Sequence, residues 1–322
     1  MRMKCAVLDD YQNVASKMAD WSVVLRDVDV VFFNEPFDDE DAVASTLAEF
    51  EIVCLMRERT PVPGSLIRRL PRLRLILTTG LRNAAIDVPA AIDQGIVVCG
   101  TQSAAHPTAE LVFAHILEFA RQVGAENARL KTGARWQNTL GRDLNGRTLG
   151  IIGLGRLGRQ VARIGTAFGM TVLAWSQNLK SADCEELGAT YASKDELLAS
   201  SDFVSIHVQL SARTTGLIGA AEFALMKPGA FLINTSRGPV IEEAALIASL
   251  SQRRIAGAGL DVFSLEPLPI DHPLRKLPNA QLSPHLGYVT EDNYRLCYSQ
   301  VVEGIRAWLD GSPMRIIDSN SR

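Results

Sequence analysis

Short apolar runs rich in β-branched residues alternate with longer helical patterns along the whole chain. A first series of runs covers residues 6–8, 30–33, 52–55, 73–78 and 96–98, and a second covers 148–152, 172–175, 203–206, 230–233, 256–260 and 280–282. Runs of this kind, separated by helical patterns, are typical of βαβ units. The pattern therefore predicts an α/β fold built from two parallel sheets.

A largely apolar segment at 109–119 separates the two series and is long enough to be a mostly buried helix that joins them. A final helical pattern at 290–309 stops before Gly311 and Pro313, which end helices, and we expect this helix to pack against the first series. The chain then divides into a discontinuous domain of residues 1–101 and 288–322 and a second domain of residues 102–287. The six strands of the second domain fit a doubly wound sheet.

The composition is that of an ordinary globular protein with two domains. The chain has 322 residues, of which 47% are hydrophobic and 21% are charged. A net charge of -3 and a pI near 6.0 leave no electrostatic footprint for nucleic acid or for an anionic membrane. No stretch approaches the length of a membrane span.

The cysteines and histidines indicate neither cross-links nor a metal. The five cysteines are Cys5, Cys54, Cys99, Cys184 and Cys297. They are scattered and form no C-x-x-C pair, which favours small core residues in a reducing cytoplasm over a disulfide framework, a zinc cluster or a catalytic thiol. Since no pair of histidines has metal-ligand spacing, we expect no metal.

A glycine-rich turn follows the first strand of the second series. Gly153, Gly155 and Gly158, with Arg156 and Leu157 between them, form G-x-G-x-x-G, and a helical pattern comes next. A strand, this turn and a helix are the context that a dinucleotide-binding motif needs. The first glycine permits the tight turn, the second lets the backbone approach a pyrophosphate, and the third lets the helix lie close to its strand. The helix N-terminus adds free N–H groups and a positive dipole, so the turn predicts a dinucleotide cofactor.

The end of the next strand bears on which dinucleotide is bound. An acid that hydrogen-bonds the ribose hydroxyls of NAD is expected there, but the position 23 residues after Gly153 is Ser176. Without a carboxylate to repel it, a 2′-phosphate is tolerated, and Lys180 or Arg156 could pair with it. Ser176 and Gln177 suit a free 2′-hydroxyl equally well. NAD and NADP both stay open, with NAD slightly favoured.

Three polar residues each follow a strand of the second series. Arg237 comes after 230–233, Glu266 after 256–260 and His285 after 280–282. Taken singly, each has an ordinary explanation as a surface or loop residue. A parallel sheet, however, presents its ligand-binding groups at the carboxyl ends of its strands. Their placement on successive strand ends of a cofactor-binding sheet therefore predicts a catalytic group.

These residue types match the reduction of a 2-oxo acid. That reaction needs a hydride donor, a cation that orients the carboxylate and polarises the ketone, and an acid that protonates the forming alkoxide. We predict that Arg237 binds the carboxylate and carbonyl oxygen and that His285 donates the proton. Glu266 would hydrogen-bond the other imidazole nitrogen and fix its tautomer. In the oxidative direction His285 would be the base.

From residue 52 to residue 287 the chain resembles the D-isomer-specific 2-hydroxyacid dehydrogenases. The motifs that carry the resemblance lie at 153–158, 234–238, 261–267 and 284–287, in the order that the family has. The resemblance implies a Rossmann cofactor domain, a flavodoxin-like α/β substrate domain and the interconversion of a small 2-oxo acid with its D-2-hydroxy acid. Within the family the chain is similar to D-3-phosphoglycerate dehydrogenases and glyoxylate/hydroxypyruvate reductases, without the regulatory domain of some phosphoglycerate dehydrogenases.

The resemblance also implies roles for individual residues. It makes Arg237, Glu266 and His285 the Arg, Glu and His of the family, and it implies that Asp261 contacts the nicotinamide carboxamide. The further cofactor-binding residues that we expect are Thr108, His207, Val208, Gln209, Thr214, Thr235 and Ser236.

The segment 80–87 departs from the substrate loop of the family. It keeps the first Gly and the final Ile-Asp but lacks the second Gly. We expect Arg57, Leu81 and Arg82 to contact the substrate. Arg82 is an extra cation, which together with Arg57 and Arg59 would favour a second anionic group, although surface exposure explains these residues equally well. Glyoxylate, hydroxypyruvate, phosphohydroxypyruvate and branched or aromatic 2-oxo acids all stay open as substrates.

A protein that senses the cofactor and recruits partners on the same fold is the alternative to an enzyme. It would need partner-binding extensions or a hydrophobic surface groove, whereas this chain combines short termini with a complete catalytic set. We therefore expect an enzyme. The resemblance favours a homodimer, with the joining helix and the segment 131–142, including Trp136, as candidate contacts.

Overall fold

The computed structural model describes residues 2–318, which form two compact units. Unit 1 extends to Ala104 and resumes at Val289, and unit 2 is Ala105–Tyr288. The chain passes from unit 1 to unit 2 after residue 104 rather than after residue 101, the predicted boundary. The reason is that residues 102–104 are held to unit 1 by hydrogen bonds. The N–H of Gln102 donates to Oε1 of Gln300 at 2.8 Å, and the N–H of Ala104 donates to Oδ1 of Asn293 at 2.9 Å.

The chain returns from unit 2 to unit 1 one residue later than predicted, because Tyr288 belongs to unit 2. Its ring lies edge-on to the ring of His285, with the centroids 5.5 Å apart. Gly287, the preceding residue, is also held in unit 2, because Oγ1 of Thr108 donates to its carbonyl oxygen at 2.6 Å.

Unit 1 is built on a parallel sheet with the strand order β2-β1-β3-β4-β5, which is the order of flavodoxin-like folds. Its strands are β1 (Met3–Val7), β2 (Val28–Phe32), β3 (Ile52–Leu55), β4 (Leu75–Thr78) and β5 (Val97–Gly100), and its first helices are α1 (Glu40–Leu47), α2 (Gly64–Ile67) and α3 (Val88–Asp93). Every residue of β3 and β4 is buried, which explains why these strands are continuous apolar runs in the sequence.

Unit 2 is built on a parallel sheet of seven strands in the order β12-β11-β10-β9-β6-β7-β8. Its strands are β6 (Thr148–Ile152), β7 (Thr171–Trp175), β8 (Ala189–Tyr191), β9 (Phe203–Ile206), β10 (Phe231–Asn234), β11 (Gly257–Leu260) and β12 (Ala280–Leu282). Its helices are α4 (His106–Arg121), α5 (Val123–Lys131), α6 (Arg156–Ala167), α7 (Ser181–Glu185), α8 (Lys194–Ser200), α9 (Ala220–Leu225) and α10 (Glu243–Ser251). The strand order confirms the doubly wound fold, and β6 and β9 flank the point where the winding reverses.

The strand β8 is absent from the elements that the sequence pattern predicts. This edge strand has three residues, of which Ala189 is buried and Thr190 and Tyr191 are exposed. A strand this short shows no measurable alternation of polar and apolar residues, and its pairing with β7 is a tertiary contact.

The two faces of the unit 2 sheet carry separate cores. Phe203 and Ile233 pack in a cluster with residues of α4 and α6. Val204 and Leu232, their neighbours in sequence, pack in a second cluster with residues of α8, α9 and α10. Successive strand residues point to opposite faces, so helices on both sides bury the strands completely.

The last helix, α11 (Glu291–Leu309), belongs to unit 1, as the sequence analysis expected. It packs against β4, where a Cβ atom at Gly304 would lie 2.7 Å from Cδ2 of Leu77. Between residues 2 and 318, no helix is both long and apolar enough to cross a membrane. All five cysteines are buried and unbridged.

Candidate active site

The glycine-rich turn lies at the carboxyl end of β6, where the winding of the sheet reverses. Gly153 has a φ of +101°, which side chains other than glycine rarely allow. A Cβ atom at Gly153 would also lie 2.8 Å from the carbonyl carbon and oxygen of His207, which follows β9. Glycine is therefore required here both for its conformation and for the close approach of two chain segments.

The other two glycines of the turn shape the start of α6. A Cβ atom at Gly158 would overlap the carbonyl oxygen of Gly153, so the helix rests directly on the turn. A Cβ atom at Gly155, the N-cap residue of α6, would meet nothing within 4 Å. Open space beside the N–H groups of a first helical turn can accommodate a phosphate group. The three glycines thus form a cradle that fits a dinucleotide.

The loop after β9 is held by hydrogen bonds within itself and by a hydrogen bond from the loop after β10. Oγ1 of Thr214 donates to the carbonyl oxygen of Gln209 at 2.6 Å and accepts the N–H of Ser211 at 2.8 Å. The hydroxyl of Ser236, which follows β10, donates to the carbonyl oxygen of Val208. The expected residues of these two loops are thereby brought to one edge of the sheet.

Two buried polar atoms at this edge have no hydrogen-bond partner within the described part of the chain. They are Nδ1 of His207 and Oγ1 of Thr235. Nε2 of His207 lies 2.8 Å from Oγ of Ser205, and burial lowers the pKa of His207 to about 3, so this ring is neutral. Because buried polar atoms are normally satisfied, the two atoms fit an edge to which a ligand would supply hydrogen-bond partners.

The end of β7 carries no carboxylate at the ribose position, as the sequence shows. Ser176 is half-buried, and its carbonyl oxygen accepts the N–H of Leu179 at 3.1 Å, which turns the chain away from the strand. Gln177 and Lys180 are exposed just beyond it. Arg156 is exposed at the start of α6.

Arg237 follows β10 and is half-buried. Its Nη1 donates to the carbonyl oxygen of Ser236 at 2.8 Å, and its own carbonyl oxygen accepts from Nδ2 of Asn234 at 3.0 Å. At the next residue, Gly238, a Cβ atom would overlap the backbone of Phe263. The loops after β10 and β11 therefore pack backbone against backbone, which brings the segment of Arg237 to the segment of Glu266.

Glu266 and His285 are in direct contact. Nδ1 of His285 lies 2.6 Å from Oε2 of Glu266, and Oε1 of Glu266 accepts the N–H of Phe263 at 2.8 Å. Burial by itself raises the pKa of Glu266, but the hydrogen bond and charge of His285, the N–H of Phe263 and the charge of Arg237 outweigh burial. The pKa of Glu266 therefore lies below its ordinary value, and the group is a carboxylate at neutral pH.

Asp261 organises the turn that carries His285. The backbone N–H of His285 donates to the carbonyl oxygen of Asp261 at 2.9 Å. The carboxylate accepts the N–H groups of Leu286 at 2.7 Å and Gly287 at 2.8 Å. His285 has a φ of +54°, a conformation that costs free energy for a residue with a side chain. Burial raises the pKa of Asp261, although its hydrogen bonds and the charge of His285 oppose this rise.

Three of the expected substrate residues lie in unit 1. Arg57 follows β3, and its Nε lies 3.6 Å from Oε2 of Glu58. Leu81 and Arg82 follow β4, the neighbouring strand, and both are exposed. Gly80 has a φ of +97°, which favours glycine, and Nη1 of Arg57 lies close to the position of a Cβ atom there.

The residues that order these segments were not among the predicted site residues. Asn83 is buried, and its Nδ2 donates to the carbonyl oxygen of Arg57 at 2.5 Å and to Oγ1 of Thr78 at 2.9 Å. The guanidinium of Arg59 lies 4.5 Å from the ring centroid of Tyr11, and its Nη1 donates to the carbonyl oxygen of Asp9 at 2.8 Å. Arg59 is thus engaged within unit 1, and an Asn three residues before the Ile-Asp pair was the available signal for the substrate loop.

A doubly wound sheet with a glycine cradle and a paired Glu and His at its carboxyl edge is the arrangement of a nicotinamide-dependent dehydrogenase. The family model described as "D-isomer specific 2-hydroxyacid dehydrogenase, NAD binding domain" matches residues 113–287. The chain belongs to this family. The family and its relatives support a reversible, NAD-dependent reduction of 2-oxo acids to 2-hydroxy acids.

Individual relatives agree with this assignment. The chain is 37% identical over 294 residues to a glyoxylate reductase of Aeropyrum pernix, an alignment that covers 88% of this chain and 87% of the relative. A crystal structure of a phosphoglycerate oxidoreductase from Vibrio cholerae has a TM-score of 0.90 and 36% identity, covering 96% of this chain and 99% of the other. A D-lactate dehydrogenase of Aquifex aeolicus, complexed with NAD and lactic acid, has a TM-score of 0.78 and 28% identity, covering 95% and 96%.

Proposed function

We propose that the protein is an NAD(P)-dependent D-2-hydroxyacid dehydrogenase whose catalytic residues are Arg237, Glu266 and His285. The observation that carries the proposal is the 2.6 Å contact between Glu266 and His285 on the sheet edge that also bears the glycine cradle. A strongly hydrogen-bonded His–carboxylate pair is the usual design of a general acid that must present one ring nitrogen to its substrate.

Each residue has a distinct task in the proposed reaction. Since Nδ1 of His285 is bound by Glu266, Nε2 is the atom that gives its proton to the oxygen of the 2-oxo group and takes it back in the oxidative direction. The Glu266 carboxylate fixes the ring and stabilises the protonated imidazole. The planar cation of Arg237 binds the substrate carboxylate and polarises the carbonyl group.

The cofactor supplies the hydride that reduces the carbonyl carbon. Gly153, Gly155 and Gly158, with Arg156 and Leu157, would hold its pyrophosphate against the start of α6. The other residues proposed to contact the cofactor are Thr108, Ser176, His207, Val208, Gln209, Thr214, Thr235, Ser236 and Asp261. The open space at Gly155 and the unsatisfied atoms of His207 and Thr235 support this placement.

We propose NAD or NADP as the cofactor, with NAD slightly favoured. The half-buried Ser176 suits a ribose 2′-hydroxyl, and the exposed Lys180 offers a cation to a 2′-phosphate.

The proposed substrate is a small 2-oxo acid. The relatives are named for glyoxylate, phosphoglycerate and lactic acid, which supports a small, polar acid as the substrate. We propose that Arg57, Leu81 and Arg82 of unit 1 contact the substrate. Five free, buried cysteines favour a reducing compartment such as the cytoplasm.

A homodimer is proposed from exposed apolar side chains after α4. Val123, Leu130, Trp136 and Leu140 are 65%, 50%, 70% and 94% exposed. Large apolar side chains clustered in one segment of sequence are typical of a surface that another subunit covers.

The test is steady-state oxidation of NADH and NADPH with glyoxylate, hydroxypyruvate, phosphohydroxypyruvate and phenylpyruvate. Turnover by the wild type that collapses in His285→Ala, while NADH still binds, is the expected result. A wild-type protein that binds NADH tightly and reduces none of these acids would favour the alternative, a cofactor-sensing binding protein.

A further inference from the structure

His115 is a buried polar residue on an otherwise apolar helix face. It lies on α4 between the buried residues Val112 and Ile116 and is 6% exposed. An apolar side chain would fill this position without the cost of burying an imidazole. The residue is therefore expected to have a task that packing alone does not explain.

Both ring nitrogens of His115 are hydrogen-bonded to residues of the segment that leads to His285. Nδ1 lies 2.9 Å from Oε1 of Gln281 on β12, and Nε2 lies 3.1 Å from Oγ of Ser283. A Cβ atom at Gly259 on β11 would lie 2.9–3.0 Å from Cγ, Cβ and Nδ1 of the ring. The imidazole of His115 thus packs into the space that a side chain at position 259 would occupy.

The hydrogen bonds continue from Ser283 to Asp261. Oγ of Ser283 donates to Oδ1 of Asp261 at 2.6 Å, and the same carboxylate accepts the N–H groups of Leu286 and Gly287. Short hydrogen bonds to a carboxylate are strong and set its orientation. The orientation of Asp261 in turn holds the turn in which His285 has its positive φ.

The single hydroxyl hydrogen of Ser283 determines which group donates in each of these hydrogen bonds. Ser283 has one hydroxyl hydrogen and donates it to Asp261, so its oxygen must accept from His115. Nε2 of His115 therefore carries a hydrogen. Oε1 of Gln281 as placed can only accept, so it pairs with an Nδ1 that also carries a hydrogen. With a neutral ring protonated only at Nε2, the amide of Gln281 is flipped so that its NH₂ group donates to Nδ1.

We propose that His115 is a positioning residue of the dehydrogenase reaction: through Ser283 it orients Asp261, and through Asp261 it holds the turn that carries His285. This inference rests on the proposed function, because the roles of Asp261 and His285 are assigned there. His115 touches neither Asp261 nor His285, and its link to Asp261 runs through Ser283.

The kinetic test compares three variants. His115→Leu keeps the volume and removes both hydrogen bonds, and we expect kcat to fall about tenfold, as for a lost hydrogen bond to an ionised network. His115→Gln keeps an N–H donor at a similar reach and should recover kcat to within about threefold of the wild type. His272→Gln is the matched control, since His272 also has both ring nitrogens bonded, to Glu243 and to the N–H of Leu274, and has no part in this array.

Either of two kinetic results would overturn the proposal. One is wild-type kcat in His115→Leu, and the other is equal loss in the Leu and Gln variants with thermal stability reduced to the same extent. If His115→Leu does not fold, Ser283→Ala removes a single oxygen atom from the same chain of bonds, and we expect the same tenfold loss.

The spectroscopic test needs no turnover. In protein with ¹⁵N-labelled histidine rings, the His115 signals are the ones that His115→Gln removes from a set of five histidines. We expect Nε2 to be protonated, and we expect the amides of Leu286 and Gly287 to exchange faster in His115→Leu. An unprotonated Nε2, or unchanged amides, would show that His115 does not orient Asp261. If no 2-oxo acid is reduced, the proposed function fails while these two readouts still decide the role of His115.

Discussion

Nδ1 of His285 and Oε2 of Glu266 lie 2.6 Å apart, although 19 residues separate them in the sequence. Each comes from a loop at the carboxyl edge of the sheet, after β12 and β11, which are neighbouring strands. The second oxygen of Glu266 is bound by the N–H of Phe263, so its carboxylate cannot rotate without losing a bond. The pair is therefore held before any substrate arrives.

Replacing Glu266 by Gln should separate catalysis from binding. The amide keeps the size of the side chain but removes the charge that holds and stabilises the protonated ring of His285. We expect kcat to fall by about two orders of magnitude, with little change in NADH affinity measured by fluorescence titration. A variant that loses NADH affinity and kcat together would show that Glu266 only maintains the fold of this edge.

Replacing Arg237 by Lys should weaken the binding of the 2-oxo acid. A lysine keeps the charge but cannot donate two parallel hydrogen bonds to a carboxylate, and we expect kcat/KM for the acid to fall about 100-fold. The KM for NADH should stay close to that of the wild type. Unchanged kcat/KM for the acid would exclude Arg237 as the carboxylate-binding residue.

Replacing Ser176 by Asp should shift the cofactor preference toward NADH. The new carboxylate would accept hydrogen bonds from the ribose hydroxyls and repel a 2′-phosphate, so the ratio of kcat/KM for NADH over NADPH should rise about tenfold or more. Ser176→Asn has a similar size without the charge and serves as the control. An equal change in both variants would mean that charge at this position does not select the cofactor.

The neutral ring of His207 predicts a loss of stability in acid. Its folded pKa of about 3 lies below the ordinary value of 6.5, so between these values the unfolded chain binds the additional proton. The neutral ring of His207 therefore makes its full contribution to the free energy of unfolding above the ordinary pKa. That contribution is lost as the pH falls toward about 3. Between pH 7.5 and pH 5 the free energy of unfolding should drop by at most about 2 kcal/mol from this group.

His207→Gln should remove that part of the pH dependence in urea unfolding at the two pH values. The control is His106→Gln, at an exposed histidine of the same unit. A pH dependence that His207→Gln leaves at its wild-type size would contradict the prediction.

Trp136→Glu should weaken the proposed homodimer. Trp136 is 70% exposed, and a charge in an apolar contact typically raises the dissociation constant about 100-fold or more. Sedimentation velocity at micromolar concentration measures this, with Ile270→Glu as the control, since Ile270 is an apolar residue outside the segment and is 90% exposed. A wild-type protein that sediments as a monomer would refute the prediction directly.

The parts of the fold and the site that could be predicted are those with a local signal. The runs at 148–152 and 203–206 match β6 and β9 residue for residue, because parallel strands buried on both faces leave continuous apolar runs. The glycine-rich turn is also local, since the strand before it and the helix after it lie within the same stretch of sequence.

The sequence by itself determined that Arg237, Glu266 and His285 each follow a strand, and this placed them on one edge of a parallel sheet. Only the tertiary structure decided which side chains meet. The strand β8, the engagement of Arg59 by Asp9 and Tyr11, and the bond between His115 and Gln281, 166 residues apart, left no local pattern. Periodicity records which face of an element is buried, whereas a hydrogen bond between two elements depends on packing that no single segment contains.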